Sequence, residues 1–215
     1  MNGPFDQLDR TDGPFTLLLG RVGGMRVAGV VLAAGAGRRF GMPKALVDYR
    51  GTLLVDRAAR VLTEGGCAPV LVVLGAAEAE VRAAAELRGV DVVSNPDWDS
   101  GMGSSFRAGL TALAGESADV AAALFLPVDM PGVTAEAVRR VAAHAAPDAL
   151  AAASLDQRRS HPVLLGRAHW RGAAATAVGD AGARGYLRDH AVTLVRCDGV
   201  SEGFDIDRPA DLDRG

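Results

Sequence analysis

Apolar residues follow two rhythms along this chain. Uninterrupted runs of β-branched and small apolar residues at Val27 to Ala34, Pro69 to Leu74 and Ala121 to Leu126 carry no polar alternation, the pattern of strands buried on both faces, and Val90 to Val93 reads as a further short strand ending at Asn95-Pro96. Between these runs the apolar positions recur at helical spacing. Leu53, Leu54, Ala58, Val61 and Leu62 form one such face, which Gly65-Gly66 stops; Glu78 to Leu87 forms an alanine-rich second, and Asp99 to Leu113 leads into a third that ends near Gly115. Further on, the pattern predicts a helix over 134–145, a strand over 149–153, a polar turn and a short strand over 162–165. Two small helices near Ala168 and Ala181 and a last strand over 192–196 complete the chain. Strands alternating with helices in this way predict a three-layer α/β domain, a mostly parallel sheet with helices on both faces.

With 215 residues, 49% of them hydrophobic, the chain can build one full core, and residues 25–215 are taken as a single domain. Residues 1–24 hold two Gly-Pro pairs and one short apolar piece, Phe15 to Leu19, with neither a cationic start nor a small-residue cleavage site. They are read as a disordered or non-native N-terminal extension. A net charge of −3 with dispersed Lys and Arg argues against a nucleic-acid partner. Cys67 and Cys197 are too few and too isolated for a zinc site or a disulfide framework, so a reducing cytoplasm is the expected compartment. No apolar run approaches the roughly 20 residues that cross a bilayer, and a soluble protein without membrane contact is expected.

The first buried strand empties into Gly35-Ala36-Gly37-Arg38-Arg39-Phe40-Gly41-Met42-Pro43-Lys44, a glycine-rich loop studded with cations. Glycines let several backbone N–H groups converge on phosphate oxygens, and Arg39 and Lys44 add full positive charge. Two familiar phosphate loops do not fit. The spacing is one residue too long for G-x-G-x-x-G, and no acidic residue closes the next strand to hold a ribose. Lys44 stands between Pro43 and Ala45, without the preceding Gly and following Ser or Thr of a Walker loop.

In open α/β sheets, ligands collect at the carboxyl ends of the strands. The run ending at Leu126 delivers Pro127-Val128-Asp129-Met130-Pro131 to that edge, where a rigidly held Asp129 suits either a magnesium ion or the cap of a following helix. A second glycine-rich turn, Ser100 to Ser105, suits nucleoside recognition through Gly103 and the hydroxyls of Ser104 and Ser105. It equally suits an N-capped helix start. A hydrolase built from Ser104 or Ser105 with His161 and Asp129 lacks the G-x-S-x-G elbow. Arg184, beside Gly182, has the charge to hold a phosphate.

Leu32-Ala33-Ala34-Gly35-Ala36-Gly37-Arg38-Arg39, followed by Pro43-Lys44-Ala45-Leu46, resembles the L-A-A-G-x-G-x-R…P-K-x-L signature of nucleotidyltransferases. Leu126-Pro127-Val128-Asp129-Met130-Pro131 resembles their metal-holding motif, and Asp207 in Asp205-Ile206-Asp207-Arg208-Pro209 resembles the second carboxylate, with Asp205 as the alternative. Ser160-His161-Pro162-Val163 and Gly179-Asp180-Ala181-Gly182-Ala183-Arg184 are similar to the Gly-His-Pro-Val and G-D-x-G-A-R segments of the molybdenum cofactor cytidylyltransferase branch of the MobA-like NTP transferase family. Ser160 departs from the first Gly. Together the five motifs extend from about Val27 to Leu212.

The resemblance implies a Rossmann-like nucleotidyltransferase fold, related to nucleotide-diphospho-sugar transferases, with a mostly parallel mixed sheet. It implies Mg²⁺-dependent transfer of CMP from CTP to the phosphate of molybdenum-bound molybdopterin, with release of pyrophosphate. Leu32, Ala33, Ala34, Gly35, Gly37, Arg39, Lys44, Gly103, Ser104 and Ser105 would bind the nucleotide, with Arg39 and Lys44 catalytic. Asp129 and Asp207 would hold the metal; His161, Gly182 and Arg184 would face the acceptor. Other readings are GTP in place of CTP, a sugar or polyol phosphate as acceptor, and a nucleotide-binding assembly protein for a molybdoenzyme without turnover. A monomer or weak homo-oligomer is expected.

Overall fold

A computed structural model describes residues 21–22, 25–115 and 119–213. The central strand is β2 (Met25–Leu32), preceded by β1 (Arg21–Val22), and a short hairpin of β3 (Asp48–Tyr49) and β4 (Thr52–Leu53) precedes α1 (Leu54–Glu64). Then come β5 (Val70–Leu74), α2 (Glu78–Ala84), β6 (Asp91–Ser94), α3 (Met102–Ala114), β7 (Val120–Pro127) and α4 (Ala135–Ala142). The last third supplies β8 (Leu150–Leu155), β9 (Arg158–Gly166), α5 (Trp170–Thr176), α6 (Arg184–Arg188) and β10 (Thr193–Arg196).

Along the sheet the order is β10-β8-β9-β7-β2-β5-β6. Only β9 in this row runs against its neighbours, β7 and β8; the other pairs are parallel. The expected mixed, mostly parallel sheet is therefore present.

Alternation along the strands sorts side chains between two cores, as a pleat of period two requires. Val27, Val31, Val70, Val72, Ala122 and Leu124 meet Leu54, Leu62 and Val138 of α1 and α4 on one face. Ala28, Val30, Leu71, Val73, Ala123 and Phe125 meet Phe106, Leu110 and Trp170 of α3 and α5 on the other. Because most residues of β2, β5 and β7 find a helix above or below them, these strands read as continuous apolar runs.

Local hydrogen bonding accounts for several departures from the sequence pattern. Helix α2 ends at Ala84, not Leu87, because Asp56 Oδ1 accepts the N–H groups of both Glu86 and Leu87 and draws the chain out of the helix. Strand β9 begins at Arg158, before the expected Pro162, because Leu155 and Arg158 close a tight hairpin on Asp156-Gln157, both at positive φ. Asp156-Gln157 is not a usual pair for such a turn, which hid the hairpin in sequence. The helix expected near Ala181 is a single 3₁₀ turn at Gly179–Ala181, followed by α6.

Arg21 and Val22, within the segment set outside the fold, pair antiparallel with Arg26 and Met25; Phe15 to Leu19 lies outside the described residues. Among the described residues no helix is long and apolar enough to cross a membrane.

Candidate active site

At the carboxyl end of β2 the chain passes into the glycine loop. Phe40 and Gly41 N–H groups both donate to the Gly37 carbonyl, closing a tight turn. Gly37 has φ +60°, and a Cβ there would collide with the Met42 carbonyl, so glycine is required. Pro43 then starts a 3₁₀ turn at Lys44–Leu46, which brings Lys44 back toward the sheet edge.

Lys44 Nζ donates to Asp129 Oδ2 at 2.7 Å and to Asp207 Oδ1 at 2.6 Å. Asp129 follows β7, and the C-terminal segment is laid across the loop that bears it. Ile206 N–H donates to the Asp129 carbonyl, Glu202 N–H to the Gly132 carbonyl and Thr134 Oγ1 to the Val200 carbonyl. Fully buried Ile206 anchors this segment between its two aspartates. Asp211 Oδ2 accepts from the N–H groups of Asp207 and Arg208, fixing the backbone that carries the Asp207 carboxylate.

These contacts set the electrostatics. Burial alone would lower the Lys44 pKa, but the hydrogen bonds to Asp129 and Asp207, with the charge of both carboxylates, hold it above the ordinary lysine value. The hydrogen bond from Lys44 holds Asp207 below the usual carboxylate range, aided by the charges of Lys44 and Arg39. Asp205 moves the other way, raised by burial and by the charges of Asp129 and Asp207.

Two cavities meet here. The first, of about 350 Å³, is walled by Leu32, Ala34 to Arg39, Lys44, Trp98, Asp99, Gly101, Met102, Ser105, Asp129, Asp180 and Asp207. The second, of about 500 Å³, has an apolar floor that includes Phe106, Phe125, Met130, Val163 and Leu187. Its polar rim comprises Arg159, Ser160, His161, Asp180, Arg184, Asp129 and Asp205. Leu32, Met102, Pro127, Asp129 and Asp180 border both. Asp207 faces the first cavity and Asp205 the second, so the two ends of one Asp-Ile-Asp motif are divided between them.

Of the candidates chosen from sequence, Leu32, Ala34, Gly35, Gly37, Arg39, Lys44 and Ser105 share the first cavity with Asp129 and Asp207. His161, Gly182 and Arg184 share the second. Ala33 lies in the core, and Gly103 and Ser104 are absent from the walls. The physical reason is that the turn is already occupied by protein. A Cβ on Gly103 would lie 2.8 Å from the Ala177 carbonyl oxygen, and Ser104 Oγ is held between the Gly101 carbonyl and Asn95 Nδ2. Gly103 thus seats a neighbouring loop, whereas Gly101 lines the first cavity. Neither serine bonds to His161, whose Nδ1 lies 3.4 Å from the Phe125 carbonyl, so no hydrolase triad is assembled. Burial lowers the His161 pKa.

Sequence reasoning missed Trp98, Asp99 and Arg159, and took Asp180 only as part of the Gly179 to Arg184 segment. One of only two tryptophans, three residues after Asn95, was the available signal for the first pair; Arg159 sits in a polar turn and gave none.

Two carboxylate oxygens within 2.7 Å of one ammonium converge on one point, and each carboxylate keeps a second oxygen. Among the described residues no group of three or more His, Cys, Asp and Glu side chains converges as a metal site. A pair of carboxylates fits a cation that takes one or two protein ligands and completes its shell with phosphate oxygens and water, the habit of Mg²⁺.

Residues 29–194 match the MobA-like NTP transferase domain. The chain belongs to this family. Its fold is that of the family's nucleotidyltransferases. Rv0371c from Mycobacterium tuberculosis superposes with a TM-score of 0.75 at 28% identity, covering 89% of this chain and 97% of that one, and its manganese complex gives 0.73. The probable molybdenum cofactor guanylyltransferase of Opitutus terrae is 38% identical over 109 residues, 51% of this chain and 50% of the relative. The nicotine blue oxidoreductase of Paenarthrobacter nicotinovorans is 43% identical over 191 residues, 84% of this chain and 92% of the relative. The name of that relative describes a redox reaction rather than a nucleotidyl transfer.

Proposed function

We propose that this MobA-like protein transfers CMP from CTP to the phosphate of a molybdenum-bearing molybdopterin and releases pyrophosphate, with Mg²⁺ held by Asp129 and Asp207. The observation that carries the reading is the meeting of Lys44, Asp129 and Asp207 where a cation-lined cavity opens into an apolar one with an Arg and His rim.

In this reading the triphosphate lies against Gly35 to Gly37, with Arg39 and Lys44 beside it. Two of the three Lys44 N–H donors engage carboxylates, which leaves one for a phosphate oxygen. The acceptor phosphate is its own nucleophile, so the chain has to align it with the α-phosphorus and balance the charge that builds on departing pyrophosphate. Bound magnesium supplies Lewis-acid polarisation of the phosphate oxygens. Arg159, Arg184 and His161 hold the acceptor over the apolar floor.

The choice of CTP rests on Ala34, where the guanylyl branch reads L-A-G-G. Ala34 lines the first cavity. A pocket satisfying the edge of cytosine leaves polar groups unpaired against guanine, at roughly 1–3 kcal/mol per group. Transfer to purified molybdenum-loaded molybdopterin, run with CTP and with GTP, tests this. A clear excess with CTP is expected; equal rates remove the base assignment, and an excess with GTP reverses it.

A redox reading is favoured by one observation, the 43% identity to nicotine blue oxidoreductase across 92% of that protein. In that reading the two cavities hold a reductant and an oxidised dye. Bleaching of nicotine blue with NADH or NADPH, without nucleoside triphosphate, would support it.

A further inference from the structure

Five residues border both cavities, and two of them are carboxylates. Asp129 is engaged by Lys44. Asp180 differs: among the described residues no hydrogen bond or ion pair engages its exposed carboxylate. We propose that Asp180 determines nucleotide specificity, accepting hydrogen bonds from donor groups at the nucleoside end of the nucleotide although it belongs to the loop on the acceptor side. The assignment rests on the nucleotidyltransferase reading of the first cavity.

The loop that bears Asp180 is firmly seated. Its Gly179–Ala181 turn packs on the start of α3, where a Cβ on Gly101 would lie 2.6 Å from the Gly179 carbonyl carbon and 2.8 Å from Asp180 Oδ1. Gly101 has φ +105°, a conformation that glycine adopts freely. Arg107 Nη1 donates to the Ala177 carbonyl and ties the same loop to the middle of the helix. The backbone at Asp180 is therefore held in place, and its side chain lines the cavity together with Trp98, Asp99 and Met102.

Charge then orients the ligand. The cavity wall carries Arg38, Arg39 and Lys44 with the glycine loop, and also Asp99, Asp129, Asp180 and Asp207. Lys44 offsets Asp129 and Asp207, so a triphosphate is drawn to Arg38 and Arg39 and repelled by Asp99 and Asp180, which favours the uncharged nucleoside beside Asp180. An ionised carboxylate only accepts hydrogen bonds, so it selects donors. A nucleoside offers two kinds, the ribose hydroxyls and the exocyclic amine of cytosine. Uracil presents a carbonyl oxygen where that amine stands and would be repelled.

Calorimetric titration of CTP, UTP, 2′-deoxy-CTP and inorganic pyrophosphate, each with Mg²⁺ and without acceptor, tests the assignment on the full chain and its Asp180→Ala and Asp180→Asn variants. Asp180→Ala is expected to weaken CTP by roughly 10- to 100-fold, the range for a hydrogen bond to a charged group, while pyrophosphate binding stays unchanged. Asp180→Asn, which keeps an acceptor oxygen, is expected to fall between. Collapse of the CTP-to-UTP ratio assigns the contact to the amine, and collapse of the CTP-to-deoxy-CTP ratio assigns it to the ribose; either supports the proposal. Equal CTP affinity in the unaltered chain and Asp180→Ala overturns it, as does a parallel loss for CTP and pyrophosphate. If the unaltered chain binds no nucleotide, the underlying reading fails and takes this assignment with it.

Discussion

The two cavities that meet at Asp129 are built in opposite ways. Much of the first comes from one stretch, Leu32 to Lys44, in which a buried strand, a glycine turn and a proline-started 3₁₀ turn follow one another. The second draws on α3, β7, β9, the 179–184 loop, α6 and the C-terminal segment, each contributing one or a few side chains. The first is lined by the glycine loop, three cations and four aspartates; the second by apolar side chains and by Arg, His and Asp. The first cavity can therefore be read from one stretch of sequence, whereas the second takes shape only in the fold.

The largest expected effect falls on the first cavity. Lys44→Ala and Arg39→Ala are each expected to slow turnover by roughly 10²–10³-fold, the loss typical of one charge-stabilising donor, with a smaller change in CTP affinity. Rate and binding measured on the same preparations check this, and a near-normal kcat would remove that residue from the chemistry.

The shared edge sharpens the comparison next. Asp207→Ala is expected to raise the Mg²⁺ requirement at least roughly 10-fold, the lower figure for outer-shell partners of a metal, and Asp205→Ala to raise it less. Asp205 borders the second cavity, so its loss is expected to appear in the KM of the acceptor. A magnesium titration in which Asp205→Ala is the more damaged variant would exchange the two roles.

Within the second cavity, Arg184→Ala is expected to raise the acceptor KM by roughly 10-fold, the lower end for a charge-assisted hydrogen bond, and to leave CTP affinity unchanged. An equal loss for both substrates would show that the two cavities do not divide the ligands as described.

The smallest effect concerns the chain end. Starting the chain at Met25 removes Arg21 and Val22, which pair with Met25 and Arg26 at the start of β2. Thermal unfolding is expected to report a loss of roughly 1 kcal/mol or less, since this pairing touches only the strand end. A larger loss would bring the N-terminal segment into the fold.

The same contrast explains what was legible in sequence. The strands could be read because Val27 to Ala34 and Ala121 to Leu126 are buried on both faces, and the glycine loop because Gly37 has no substitute at its turn. Gly103 was read as part of a ligand-facing turn, yet its bare face is covered by the Ala177 and Gly179 backbone, some 75 positions later in the chain. The aspartates at 205 and 207 were visible as a motif. Their division between two cavities depends on Ile206 entering the core, a tertiary event that spacing does not record. Arg159 was invisible because the Asp156-Gln157 hairpin that places it lies in a polar run without the Asn-Gly signal of such turns.

In the proposed nucleotidyl transfer, Lys44, Asp129 and Asp207 meet in the nucleotide cavity, and Asp129 also borders the acceptor cavity. The most direct test follows α-labelled CTP with Mg²⁺ and purified molybdenum-loaded molybdopterin, scoring pyrophosphate and labelled acceptor together. The account predicts equal amounts of both products, with neither formed when the acceptor is left out. No pyrophosphate and no labelled acceptor, from a preparation that bleaches nicotine blue with NADH or NADPH, would contradict it.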